Sequence, residues 1–151
     1  MPKIIIGDIF EINTPKGKAY LHYIHEEPKI KRQLTRVLQG LYLERPNLDE
    51  LAGRKEQYMI FFPMTAAYNR KIIDRIGHFA ADIFSKPKYM RSEHNVRGEN
   101  LGWHIIDTDT WKMELVKKLT PNQKQLSDWA SWNDTLLIER LISGWSLENW
   151  I

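Results

Sequence analysis

The sequence predicts an α+β fold, mainly antiparallel β-sheet or a small SH3-like barrel, with short helices packed at the C-terminal end. Three observations lead there. Short apolar runs with strand-like alternation, separated by Pro, Gly, Asn and Asp, dominate the first half of the chain. The period changes after Leu119, where helix-capping residues and four-residue apolar spacing take over. No repeat, low-complexity tract or second core interrupts the 151 residues, a length that suits one domain, so residues 1–151 are expected to form a single unit.

Ile9, Phe10 and Ile12 make the first apolar run, and Asn13-Thr14-Pro15-Lys16-Gly17 has the proline and glycine of a turn. From Lys18 to Ile24, alternation puts Tyr20, His22 and Ile24 on one strand face and Ala19, Leu21 and Tyr23 on the other. The two runs predict a hairpin, closed by Glu26-Glu27-Pro28. Residues 33–43 fit either period; their β-branched and aromatic content and interior glycine favour a strand with a bulge at Gly40. Pro46 to Leu51 predicts a short helix with Asn47 as N-cap and Glu50 completing a capping box. Tyr58 to Phe62 is expected to be a buried strand, bounded by Pro63.

Thr65 to Phe79 reads as a helix, or as an irregular loop leading into a strand at Ile72–Ile76. The charge, proline and polar content that follows predicts a long loop over residues 85–100. Residues 102–116 predict a hairpin. Trp103 and Ile105 share one face, Asp107-Thr108-Asp109-Thr110 turns the chain, and Trp111, Met113 and Leu115 share a face of the returning strand. Lys112 and Glu114 then point to water. Thr120, Pro121 and Gln123 stand in the order of N-cap, N1 proline and capping-box partner, which starts a short helix. A longer helix is expected from Asn133 to Ser143, on the spacings Leu137/Leu141 and Ile138/Ile142, with Gly144 as its C-cap.

The formal charge is +3. Residues 1–75 hold 13 Lys and Arg against 9 Asp and Glu, and residues 76–151 hold 9 against 10, so the basic excess lies in the first half. Two basic groups stand out: Lys29, Lys31, Arg32 and Arg36, and then Lys86, Lys88, Tyr89, Arg91 and Arg97. Phosphate attraction with ring stacking at Tyr89 makes a nucleic-acid-binding β-barrel module the alternative function. There is no cysteine, which removes disulfides and thiolate chemistry. The N-terminal apolar run, Ile4 to Ile6, falls short of the roughly 7–15 residues of a signal peptide or the about 20 of a membrane span. A cytoplasmic protein is expected.

The residues that carry chemistry in enzymes are dispersed here. His22 and His25 are three apart, which suits neither strand nor helix chelation, and His78, His94 and His104 fit no zinc motif. Asp107 and Asp109 read as turn residues before they read as a cation site. The glycines form neither GxGxxG nor GxxxxGK. The expectation is a non-enzymatic protein with no catalytic residue, metal site or cofactor. Tryptophan gives the strongest signal: four of the six, Trp129, Trp132, Trp145 and Trp150, lie in the last 23 positions. Trp132 and Trp145 are expected to dock the helical end on the sheet. Trp129 and Trp150, with Asp128, Asp134, Glu139 and Glu148, are expected to form an acidic and aromatic partner-binding surface.

Several segments together resemble the immunity protein twenty-six family, found beside bacterial polymorphic toxins. They are Gly7 to Ile12 (GDIFEI), Tyr58 to Pro63 (YMIFFP) and Gly102 to Asp107 (GWHIID). Leu119-Thr120 with Gln123-Lys124-Gln125-Leu126 follows, then Asn133-Asp134 through Leu137-Ile138-Glu139-Arg140 to Gly144-Trp145. The resemblance implies neutralisation of a cognate toxin, often a nuclease, by stoichiometric protein–protein binding. It supplies no catalytic residues. The matching positions it implies are structural: Gly7 at a turn, Phe10 and Phe61 in the core, Trp103 in the hairpin and Trp145 behind the last helix.

Overall fold

The computed structural model describes residues 3–28 and 31–150. β1 (Asp8–Thr14) and β2 (Gly17–Glu27) form the first hairpin, with Thr14 opposite Gly17 and Ile9 opposite His22. The Thr14 hydroxyl donates to the Gly17 carbonyl at 2.7 Å, closing the turn through Pro15 and Lys16. β3 (Arg32–Val37) pairs with β2, β4 (Tyr58–Phe61) pairs with β3, and β5 (Asp74–His78) adds to the far side of β1. The order is β4-β3-β2-β1-β5, antiparallel throughout.

β3 stops short of the expected position. Gly40 has a φ of +90°, and the chain turns there so that Tyr42 exchanges backbone hydrogen bonds with Lys18 at 2.7 and 2.9 Å. A left-handed backbone is open to glycine at little cost, so Gly40 ends the strand instead of bulging it.

Both faces of this sheet are buried, with the alternation expected for β2. Ala19, Leu21 and Tyr23 join Phe10, Ile12, Val37, Tyr58 and Ile60 in the main core. On the opposite face Tyr20 packs with Ile9, Leu38 and Leu51, while Ile24 packs with Leu34, Phe61 and Met90. α1 (Leu48–Gly53) covers part of that second face through Leu51 and Ala52. It starts where the sequence places it, with the Asn47 side-chain oxygen accepting from the Glu50 N–H at 3.1 Å. α2 (Met64–Asn69) follows β4 and sends Met64 and Ala67 into the main core.

A second, three-stranded sheet holds β6 (Tyr89–Val96), β7 (Glu99–Asp107) and β8 (Met113–Val116) in that order. β6 takes up half of the loop expected over residues 85–100, and the start of β7 takes its last two residues. The alternation was hidden because a charged residue points inward. Met90 and Arg91, on opposite faces of the strand, are both fully buried. β7 and β8 form the expected hairpin, but Trp111 belongs to the turn and not to the returning strand. The Asp107 carboxylate accepts from the N–H groups of Asp109 and Thr110, and the Trp111 N–H bonds to the Asp107 carbonyl with Trp111 at a φ of +64°. This anchored turn keeps Trp111 out of register. Met113 and Leu115 are more than half exposed.

The C-terminal end is helical as expected. Thr120 and Gln123 form a reciprocal capping box, side chain to backbone at 2.9 and 3.2 Å, ahead of one 3-10 turn at Gln123–Gln125. α3 (Asp134–Ser143) is capped by Asn133, which accepts from the Leu136 N–H at 2.8 Å, and by Gly144 at a φ of +75°. Leu137 and Leu141 face the main core. Between these helical pieces, one stretch of chain ties the two sheets together. The Ser127 carbonyl and the Trp129 N–H bond to the backbone of Arg91 on β6. The Ser127 hydroxyl accepts from the Met59 N–H, and the Trp132 N–H donates to the Phe61 carbonyl on β4. Among the described residues no helix is long and apolar enough to cross a membrane.

Candidate functional site

The six residues expected to form one partner-binding surface separate in the fold. Asp128 is buried: its carboxylate accepts from the Trp132 indole N–H at 3.0 Å and the Ala130 N–H at 2.9 Å, with Arg140 at 3.7 Å. Burial pushes its pKa up despite those partners. Trp150 is buried too. It packs edge-on to Trp103 at 4.9 Å, lies under the Arg91 guanidinium at 4.1 Å, and donates its indole N–H to Glu93 at 2.7 Å. Both side chains lie inside the fold, Asp128 bonded to Trp132 and Trp150 packed under Arg91. Trp129 is half-buried against Arg32 and Trp111. Asp134 is half-buried, and Glu139 and Glu148 are exposed. Trp132 and Trp145 dock the helical end as expected, each packed on Tyr58 at 5.4 and 5.1 Å.

The polar side chains form internal joints that sequence spacing does not reveal. His22, on the second face of the five-stranded sheet, lies between two partners. Its Nε2 is 2.6 Å from the Phe79 carbonyl, and its Nδ1 is 2.9 Å from Nη1 of Arg36. A carbonyl only accepts and a guanidinium only donates, so the ring is neutral with its proton on Nε2. Burial lowers the His22 pKa, the Arg36 charge lowers it further, and the Phe79 carbonyl opposes both. Arg36, fully buried, also donates to Glu56 and to the carbonyls of Ala52 and Arg54, and stacks on Phe84 at 3.8 Å. On the same face, burial pushes the Glu11 carboxyl up, but Lys18, Tyr20 and Arg45 outweigh that and bring it below its ordinary value. Tyr20 is pushed up to about 12 by burial and by Glu11.

Tyr58 has no such partner. Its hydroxyl is buried without a hydrogen bond among the described residues, and burial pushes the phenol well up. A buried hydroxyl left unpaired costs about 1–3 kcal/mol, so Tyr58→Phe is expected to leave stability unchanged or raise it by up to about 1 kcal/mol. Urea denaturation followed by tryptophan fluorescence measures this; a clear loss would mean that the hydroxyl is bonded in solution.

One face of the molecule carries an open groove of about 720 Å³. Its walls are the end of β4 with Phe61 and Pro63, the Thr65–Asn69 side of α2, and Ser131 to Asn133 leading into α3; Arg32 and Gln33 of β3 complete it. The rim is fixed from within. The Gln33 amide donates to the Thr65 hydroxyl at 2.7 Å and accepts from the Thr65 N–H at 3.0 Å, tying β3 to α2.

No protein-family model, curated protein or solved structure matches this chain.

The remaining histidines and the basic groups are placed by geometry alone. His25 lies 3.2 Å from Glu27 and His78 lies 3.0 Å from Asp8. His94 and His104 meet edge to face across β6 and β7 at 4.7 Å. Among the described residues no group of three or more His, Cys, Asp or Glu is arranged to hold a metal ion. Of the two basic groups, Arg36 and Arg91 are interior, and Lys88 is paired with Asp107 and Asp109. Lys86 donates to Glu27 and to the Thr108 carbonyl. Lys29 lies outside the described residues.

Proposed function

We propose that this chain is an immunity protein: a cytoplasmic, non-enzymatic inhibitor that neutralises a cognate bacterial toxin by stoichiometric binding. The observation that carries the reading is the open groove between β4, α2 and the start of α3, where the Gln33–Thr65 pair ties β3 to α2. A preformed, solvent-facing depression lined by rings and amide side chains suits docking of another macromolecule, since little ordering is left to be done on binding. The segments that resemble the immunity family are a second support. They open β1, form β4 and the inner part of β7, and make α3 with its C-cap. Glu139 and Glu148 remain exposed and are available to a basic partner such as a nuclease.

Isothermal titration against the toxin domain encoded immediately upstream tests the proposal. The expected result is saturable binding at about one to one, with a contact of about 1,200–2,000 Å² in total. No binding at micromolar concentrations would reject it.

A further inference from the structure

We infer that the groove is a carboxylate-recognition site, with Arg32 as its anchor, and that its occupant is an acidic segment of a partner protein. The inference rests on the binding role proposed above and adds where contact is made and with what chemistry.

Arg32 stands at the start of β3, opposite Glu27, and lines the groove. Its guanidinium lies over Phe61 at 4.0 Å and over Trp129 at 4.8 Å. One terminal nitrogen, Nη2, donates to the Trp129 carbonyl. Nε is buried with no acceptor among the described residues. No carboxylate of the described residues comes within ion-pairing distance of Arg32, whereas the fully buried Arg36 has Glu56 at 2.7 Å. A guanidinium that is stacked, half-buried and without a counter-ion is unusual, because desolvating a cation is costly unless an anion or several acceptors replace the water. Burial accordingly holds the Arg32 pKa below its ordinary value, with Asp128 offsetting only part of this.

The geometry suits a carboxylate better than an apolar guest. The two rings and the Nη2 bond to Trp129 hold the guanidinium in place, which leaves its remaining Nη hydrogens for a carboxylate, and charge-assisted pairing of this kind is what arginine does best. Lys31 is exposed beside it and adds positive charge, while Glu26 on the same wall repels an acid that enters from that side. The exposed amide of Asn69 lies farther along and offers hydrogen bonds to a peptide backbone. An extended protein segment with an Asp or Glu side chain therefore meets a cation, apolar walls and an amide in one groove. A guanidinium also pairs with phosphate, so the test includes that source.

The probe is an N-acetylated, C-amidated peptide of alternating glutamate and glycine, added at constant ionic strength to the full-length protein labelled with nitrogen-15. Its glutamine counterpart and inorganic phosphate are controls. Saturable shifts of the Arg32 side-chain N–H resonance are expected with the glutamate peptide. Affinity, read in native and variant chains alike from the backbone N–H shifts of the groove residues, should be about tenfold weaker with the glutamine peptide or in Arg32→Gln, the loss expected of a charge-assisted pair. Arg32→Lys, which keeps the charge and the stem packing but not the fork, should also weaken binding. Equal shifts with both peptides, no saturable shift at Arg32, or tighter binding of phosphate than of the glutamate peptide would overturn the inference. The binding role is judged separately. If the toxin domain binds the native chain and a folded Arg32→Gln equally well, the groove assignment falls and the immunity reading stands. If the toxin domain does not bind at all, that reading falls, whatever the peptide shows.

Discussion

Arg91→Met is expected to destabilise the protein by about 3–5 kcal/mol, the largest effect of any single substitution considered. Arg91 is fully buried on β6 and donates four hydrogen bonds to backbone carbonyls. Nε bonds to Leu126 at 3.0 Å, Nη1 to Trp150 at 2.8 Å, and Nη2 to Lys124 and Leu147 at 3.1 and 2.7 Å. No ordinary secondary structure satisfies these acceptors, because they lie where the chain leaves the 3-10 turn and where it returns after α3. The guanidinium also lies against Trp103 at 4.7 Å and Trp150 at 4.1 Å. Methionine would refill the space of the stem but supply no donor, leaving up to four desolvated carbonyls. Lysine would fare little better, since one ammonium group is a point charge and these acceptors surround a planar fork. Urea denaturation at fixed pH gives the size of the loss. The fluorescence of Trp150 and Trp103 is expected to shift towards that of solvated indole before the global transition. A cost below about 1 kcal/mol would show that the tail packs without its clamp.

This clamp also marks where the sequence was legible and where it was not. Elements with a purely apolar period were readable: the β1–β2 hairpin, β4 and α3 all lie within a few residues of their expected bounds. Caps were readable because their chemistry is local, as Asn47, Gly144 and the Thr120–Gln123 box demonstrate. β6 was not, since a strand whose inward residue is arginine has the composition of a loop. Two members of the candidate surface were misplaced for the same reason in reverse. Asp128 looked like surface charge and Trp150 like an exposed ring, but a buried carboxylate bonded to Trp132 and a ring under Arg91 are long-range facts. Arg32 stood in the sequence only as one of a basic group. What sets it apart is that Arg36, its neighbour on the same strand, is neutralised by Glu56 while it is not. Spacing along the chain carries no record of which cation meets an acid.

The second large effect is a fall in stability as pH drops, carried by His22. Its folded-state pKa lies below the ordinary value, so between the two values the unfolded chain holds a proton that the folded chain excludes. Stability is therefore fully present above the unfolded pKa of about 6.5 and is lost as pH falls towards and through the folded value, with a slope of up to about 1.4 kcal/mol per pH unit. The cause is geometric: a proton on Nδ1 would displace the hydrogen bond from Arg36 and set two cations face to face in a site without water access. The native pH profile sums every titrating group of the chain, so it does not by itself isolate His22. His22→Gln does. A glutamine amide can donate to the Phe79 carbonyl and accept from Arg36 as the imidazole does, but it has no proton to gain in this range. Urea titrations of both proteins from about pH 7.5 to about pH 5 should show the native form losing more stability than the variant, by at most about 1.4 kcal/mol for each pH unit. Parallel profiles would mean that the imidazole is solvated or its proton shared elsewhere, and the neutral ring locked between Arg36 and Phe79 would have to be abandoned.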